Sequence, residues 1–157
     1  MAFEGLLQWT DAVVTLSTRV SASRDRLSVD LRSSNLVARH QAILNFHSEC
    51  HFFAIAANKL IQYQKWVLTF GLCATVDFSE IDRFSKDIRA LRNMREHIID
   101  YFQGSGRDPA QWVVAGADAS SVSGTMIGGR LDWIKCGAAA ERLLQTLLVE
   151  PIPYPPR

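Results

Sequence analysis

Five polar side chains crowd one short stretch of this sequence: Arg92, Asn93, Glu96, His97 and Asp100 all fall between Ser79 and Gln103. Their types suit a particular reaction. An imidazole can take a proton from a ribose 2′-hydroxyl or return one to a leaving oxygen. A guanidinium can hold the extra negative charge of a phosphorane-like transition state, with two parallel hydrogen bonds where geometry permits. The Asn93 amide can orient the imidazole or a phosphate oxygen, and a carboxylate such as Asp100 would favour the protonated imidazole. This is the chemistry of RNA cleavage without a metal. The competing expectation is a solvated polar face closed by an internal Arg–Glu or Asp–His pair.

The element that must position these groups is a helix. Ser79 with Asp82 three residues on forms an approximate capping box, and Glu80 and Asp82 suit the positive end of the helix dipole. Ile81, Phe84, Ile88, Leu91, Met94, Ile98 and Phe102 recur at helical spacing, and Gly104 is placed to end the run. With Leu91 at the centre of the buried stripe, Asn93, Glu96 and Asp100 project away from the core. Arg92 and His97 then stand about 140° apart on an ideal helix. Within one chain they do not stack, so a shared site needs a bend of the Arg92 side chain or groups from a second chain.

A second cluster, FHSECH, holds His47, Glu49, Cys50 and His51. His47 and His51 are four residues apart and could share a metal on one helix face. Ser48 stands where a zinc-protease motif needs Glu, and no Glu-x-x-His pair suits a carboxylate di-metal bundle. Both histidines are therefore expected to be partly buried and hydrogen-bonded, with His47 and His51 as a weak metal alternative and no cofactor required. Cys50 and His51, about 100° apart as consecutive helical residues, make a poor thiolate pair. Gly128-Gly129 lacks the context of a phosphate-binding loop and reads as a turn.

The rest of the chain supplies scaffold. Helical periodicity predicts a first helix over about 2–22 and a long second helix from a cap at Ser33 or Ser34 to about Phe70. The segment 21–35 between them is either a short helix or an irregular connector. The second helix carries a stripe of Leu36, His40, Ile43, Leu44, His47, Cys50, Ala54, Ala57 and Ile61, and is apolar almost all round in its middle, which predicts a central position. A small hairpin or ordered loop is expected at about 111–128, followed by a last helix over Leu131 to Val149 with small residues at 137–140. The sum is an all-α, four- to five-helix bundle forming one domain over 1–150, with an extended Pro-rich tail at 151–157.

The bulk numbers agree with a soluble bundle. Seventeen basic and sixteen acidic residues leave a net charge of +1, which argues against coating long nucleic acid by bulk electrostatics. Cys50, Cys73 and Cys136 are odd in number and far apart, as expected of reduced, buried thiols in a cytoplasmic protein. The N-terminus has no basic region ahead of an apolar one, and apolar runs are broken by charges before membrane-spanning length, so no membrane partner is expected.

The segment Arg92-Asn93-Met94-Arg95-Glu96-His97 has the form R-N-x-x-x-H. Together with an all-helical domain of this length it resembles the HEPN superfamily. That resemblance implies a four- or five-helix bundle and a metal-independent endoribonuclease acting on single-stranded RNA. It further implies a homodimer in which two copies of the motif face one cleft, in a setting such as toxin–antitoxin or phage defence, with an antitoxin or regulatory protein as a partner. Arg92 and His97 would be the catalytic pair, Asn93 a supporting member of the motif, and Glu96 and Asp100 auxiliary. Ile99 stands where one toxin group of the family carries a modified Tyr, so that mode of control does not carry over. The alternative within the family is a non-catalytic helical dimer that binds protein or nucleic acid.

Overall fold

The computed structural model describes residues 1–97 and 124–149. The expected helix continuation over 98–103, Asp100, the insert up to 123 and the tail at 151–157 lie outside the described residues. What is described is an all-α bundle: α1 (Ala2–Asp30), α2 (Leu36–Thr69), α3 (Ser79–Asp82), α4 (Ser85–Glu96), a two-stranded hairpin of β1 (Met126–Ile127) and β2 (Leu131–Asp132), and α5 (Trp133–Val149).

Helix α1 runs eight residues beyond its expected end. Phe3, Leu6, Thr10, Val13, Val20 and Leu27 are all buried, and their spacings of three, four and seven keep one seam facing the bundle. Leu27, seven residues after Val20, extends that seam through the polar segment. The alternation of Leu27, Val29 and Leu31 is coincidental, since Val29 is 69% exposed. The buried Thr10 hydroxyl donates to the Leu6 carbonyl at 2.7 Å, so the core position carries no unmet donor.

A five-residue link, 31–35, turns the chain back into α2. The cap is Asn35, not Ser33 or Ser34: its Oδ1 accepts from the backbone N–H of Val37 at 3.0 Å and of Ala38 at 3.2 Å. The buried face is Ala42, Phe46, Cys50, Phe53, Ala54, Ala57, Leu60, Ile61, Gln64 and Val67. This differs from the expected stripe in its first half, where Leu36, His40, Leu44 and His47 are exposed. Side-chain size misleads there: the small Ala42 is buried while Leu36 and Leu44 are 63% and 61% exposed. Gly71 (φ +68°) ends α2 in a left-handed turn, with its N–H on the Leu68 carbonyl at 3.1 Å and that of Leu72 on the Val67 carbonyl at 2.7 Å.

The expected single helix from Ser79 is divided into α3 and α4. Its cap residue is Phe78, without a side-chain bond, while Asp77 takes the capping role attributed to Ser79. The Asp77 carboxylate accepts from the Ser79 backbone N–H at 2.8 Å and from its hydroxyl at 3.0 Å. Those bonds, the backbone one foremost, hold its pKa below the ordinary carboxylate value. Asp82 does not close a capping box, because the Gln64 amide of α2 binds it at 2.7 Å. At Phe84 the backbone bond goes to Ile81, three residues back, at 3.0 Å, which tightens the turn between the two helices. Ile81, Ile88, Leu91 and Met94 are buried as expected, and Phe84 is partly buried.

A hairpin lies at 126–132, while the greater part of the expected hairpin or ordered loop at about 111–128 falls outside the described residues. Met126 pairs with Asp132 and Ile127 with Leu131, around a turn in which Gly128 (φ +59°) and Gly129 (φ +68°) adopt the conformation glycine tolerates best. The second strand therefore occupies what reads in sequence as the start of the last helix. Asp132 caps α5, accepting from the N–H of Ile134 at 3.1 Å and of Lys135 at 3.0 Å.

Helix α5 docks on α1 through its small face. A β-carbon on Gly137 would collide with both the Oγ and the Cβ of Ser17. The Ser17 Cβ is fixed to its backbone, so the helices themselves would have to separate. Gly137→Ala is expected to cost about 1–3 kcal/mol in urea unfolding despite alanine's better helix propensity. A double-mutant cycle with Ser17→Gly should show coupling above about 0.5 kcal/mol.

The three cysteines form no disulfide and are buried, as expected of reduced thiols. Burial foremost, and then the nearby Asp132 carboxylate, push the Cys136 thiol up to about 12 from 9.0. Native protein should therefore leave Cys136 unalkylated by iodoacetamide at neutral pH, whereas urea-unfolded chain should react. The sign of the pH effect follows. The folded thiol keeps its proton where an unfolded one loses it, so this contribution to stability is complete below pH 9.0 and is lost as pH rises toward 12.

Candidate functional site

Helix α4 presents two faces of opposite character. Ile88, Leu91 and Met94 anchor it in the core, and this fixes Arg92, Asn93 and Glu96 on the solvent side. The guanidinium of Arg92 donates to Glu96 across one helical turn, Nη2 to Oε1 at 2.6 Å, and to Asn93 Oδ1 at 3.5 Å. Glu96, expected as an auxiliary residue, is thus the in-chain partner of Arg92. Both side chains are more than 40% exposed, so the pair is worth only about 0.3–0.5 kcal/mol. An incoming phosphate could replace Glu96 at little cost and find the guanidinium fork already oriented.

His97 is not inside a helix. It caps the end of α4 with φ −115° and ψ 31°, and its N–H is shared between the carbonyls of Asn93 at 3.1 Å and Met94 at 3.2 Å. Its side chain is exposed on the same end of the helix as Arg92, Asn93 and Glu96. Three of the five expected site residues are therefore brought into direct contact, and His97 stands one residue past them. The non-helical backbone at His97 changes its direction from the one an ideal helix would impose.

His47 and His51 do not take their expected, partly buried positions. Both rings are exposed on the outer side of α2. His47 lies against Phe46 with ring centroids 6.1 Å apart, and His51 meets Phe52 edge-on at 5.9 Å. Glu49 turns away from them, toward α1, where its Oε1 accepts from Arg19 at 2.7 Å. Among the described residues no three His, Cys, Asp or Glu side chains converge as metal ligands would.

A second polar site escaped the sequence. A cavity of about 430 Å³ opens between α1 and α2, lined by Arg19, Ser23 and Arg26 from one helix and Asn45, Ser48 and Glu49 from the other. Its two guanidiniums outnumber its one carboxylate. Glu49 Oε2 is buried without a hydrogen-bond partner. The signal that could have revealed this cavity is the spacing of Arg19, Ser23 and Arg26 by four and three, which puts them on one face of a helix only if α1 continues past residue 22.

No family model matches the chain, and no similar protein was found among curated proteins or solved structures.

Proposed function

We propose that this protein is a HEPN-like, metal-independent endoribonuclease that cuts single-stranded RNA, with Arg92, Asn93 and His97 of two copies forming one site. The observation that carries this reading is the R-N-x-x-x-H segment on the exposed face of α4, where Arg92 is oriented but held only by a weak surface pair to Glu96. His97 takes the proton of a ribose 2′-hydroxyl. The 2′-oxygen attacks phosphorus and the bond to the 5′-oxygen breaks, with the leaving oxygen gaining a proton from a second acid. The His97 side chain of the other copy is the natural donor of that proton. Arg92 stabilises the charge that accumulates on the non-bridging oxygens, and Asn93 positions the phosphate. RNA is the substrate, a cytoplasmic antitoxin or regulatory protein is the expected partner, and the chemistry asks for no cofactor.

A second reading, a non-catalytic helical dimer that binds protein or nucleic acid, draws support from the same Arg92–Glu96 contact, since an arginine engaged within its own helix is also what a structural surface looks like. Incubating the purified chain with varied single-stranded RNAs in EDTA separates the two. Cleavage to fragments ending in 2′,3′-cyclic phosphate supports the first; intact RNA under conditions where the protein is dimeric supports the second.

A further inference from the structure

The largest physical anomaly of the molecule is on the outer side of α2. Val37, Leu44, Phe52, Ile55, Trp66 and Phe70 are each between 38% and 77% exposed. At 100° per residue they fall within an arc of about 80°, opposite the buried Ala42, Phe46, Cys50 and Phe53. Spacings of seven and eleven residues, close to two and three helical turns, keep the stripe straight along the helix. From Val37 to Phe70 it is about 50 Å long. Its three aromatics alone leave on the order of 100–150 Å² each in water, and the whole stripe is of the order of 600 Å². That is at the upper limit of what soluble monomers expose, and within the range each partner buries in a standard interface.

We infer that this face of α2 pairs with the same face of a second copy of the chain, the two helices running antiparallel about a two-fold axis between His51 and Phe52. The area is one argument, and the arrangement of the stripe is the other. An axis at that point sets Val37 against Trp66 of the second copy, Ser48 against Ile55, and His51 against Phe52. Leu44 meets Lys59, whose aliphatic stem can cover it while the ammonium reaches the rim. Lys59 is the one charged side chain within this arc, and its two symmetry-related copies stand about 22 Å apart, so no like charges oppose one another. The interface is argued from α2 alone and does not rest on the RNA-cleavage reading.

Sedimentation velocity on the full chain over a dilution series is expected to show a monomer–dimer equilibrium. Ile55→Glu should weaken it at least about 30-fold, the size of a hot-spot substitution, while Ile134→Glu, at an exposed apolar position on α5, should leave it unchanged. Register is read with a short bis-maleimide. The native cysteines are buried, so His51→Cys should cross-link to itself across axes about 8–10 Å apart. Val37→Cys should not, because its two copies would be about 44 Å apart. A wild-type chain that stays monomeric at 100 µM (about the upper end of working concentrations) overturns the inference, as does self-linking of Val37→Cys or an undiminished dimer in folded Ile55→Glu. Should Ile55→Glu fail to fold by circular dichroism, the two cysteine variants decide. A dimer that leaves RNA intact removes the cleavage reading and keeps this one; a monomer that cuts RNA does the reverse.

Discussion

Replacing His97 by alanine is expected to slow RNA cleavage in EDTA by a factor of about 10²–10⁴, the contribution of a positioned acid or base. Arg92→Ala should lose about 10²–10³, because the charge it offsets exists only in the transition state. Arg92→Lys should recover part of that loss but not all, since an ammonium cannot grip two phosphate oxygens in the plane of a guanidinium. Glu96→Gln gives the opposite sign. It removes the in-chain competitor for Arg92 (2.6 Å away), so KM should fall while kcat changes little. All three side chains are exposed, and each variant should melt within a few degrees of the parent. A His97→Ala protein that cuts RNA at the parental rate would sink the proposed mechanism, and so would Glu96→Gln binding RNA less tightly.

The second large effect concerns stability. Trp133 is fully buried and joins three helices. Its ring meets Phe46 of α2 edge-on with centroids 6.2 Å apart. Its indole N–H donates to Ser21 Oγ of α1 at 3.1 Å, and the Arg24 guanidinium lies 5.8 Å from the ring centroid. Trp133→Ala removes this whole payload and leaves a cavity, at an expected cost of about 3–5 kcal/mol. For a chain of this size that lowers Tm by about 6–20 °C. Trp133→Phe keeps most of the ring contact and gives up the hydrogen bond to Ser21, so it should cost distinctly less. Thermal melts of the two variants beside the parent check the ordering, and a Trp133→Ala protein as stable as Trp133→Phe would contradict this packing.

Some of this was legible in the sequence and some was not. The all-α class followed from periodicity, because helices bury one face and the 3.6-residue repeat records it. The solvent face of α4 was legible for the same reason: Leu91 and its neighbours set the phase, and Arg92, Asn93 and Glu96 had to point away. The division between α3 and α4 was not, because it accompanies the Gln64–Asp82 bond, a contact between residues eighteen apart that leaves no local mark. In α2 the large side chains suggested one face for the first half of the helix, yet the core uses Ala42 there and leaves Leu36 and Leu44 in water. The phase of that face follows the buried Phe46 and Cys50 further along the helix, not the size of the side chains at its start. The Arg19–Glu49 cavity needed the true length of α1, which runs on to Asp30 with Leu27 buried.

The two long helices and the last one also differ in how far the chain must search for them. Only five residues separate α1 from α2, whereas the bond between Ser21 and Trp133 spans 112 positions. Closing the longer loop costs about 3 kcal/mol more chain entropy. The α1–α2 pair should therefore assemble first, as a helical hairpin, and α5 should dock late against a surface already formed. Lesions in the late seam, at Gly137 or Trp133, would then leave the refolding rate nearly intact and appear as faster unfolding. A protein so built sheds its last helix before it loses its first two.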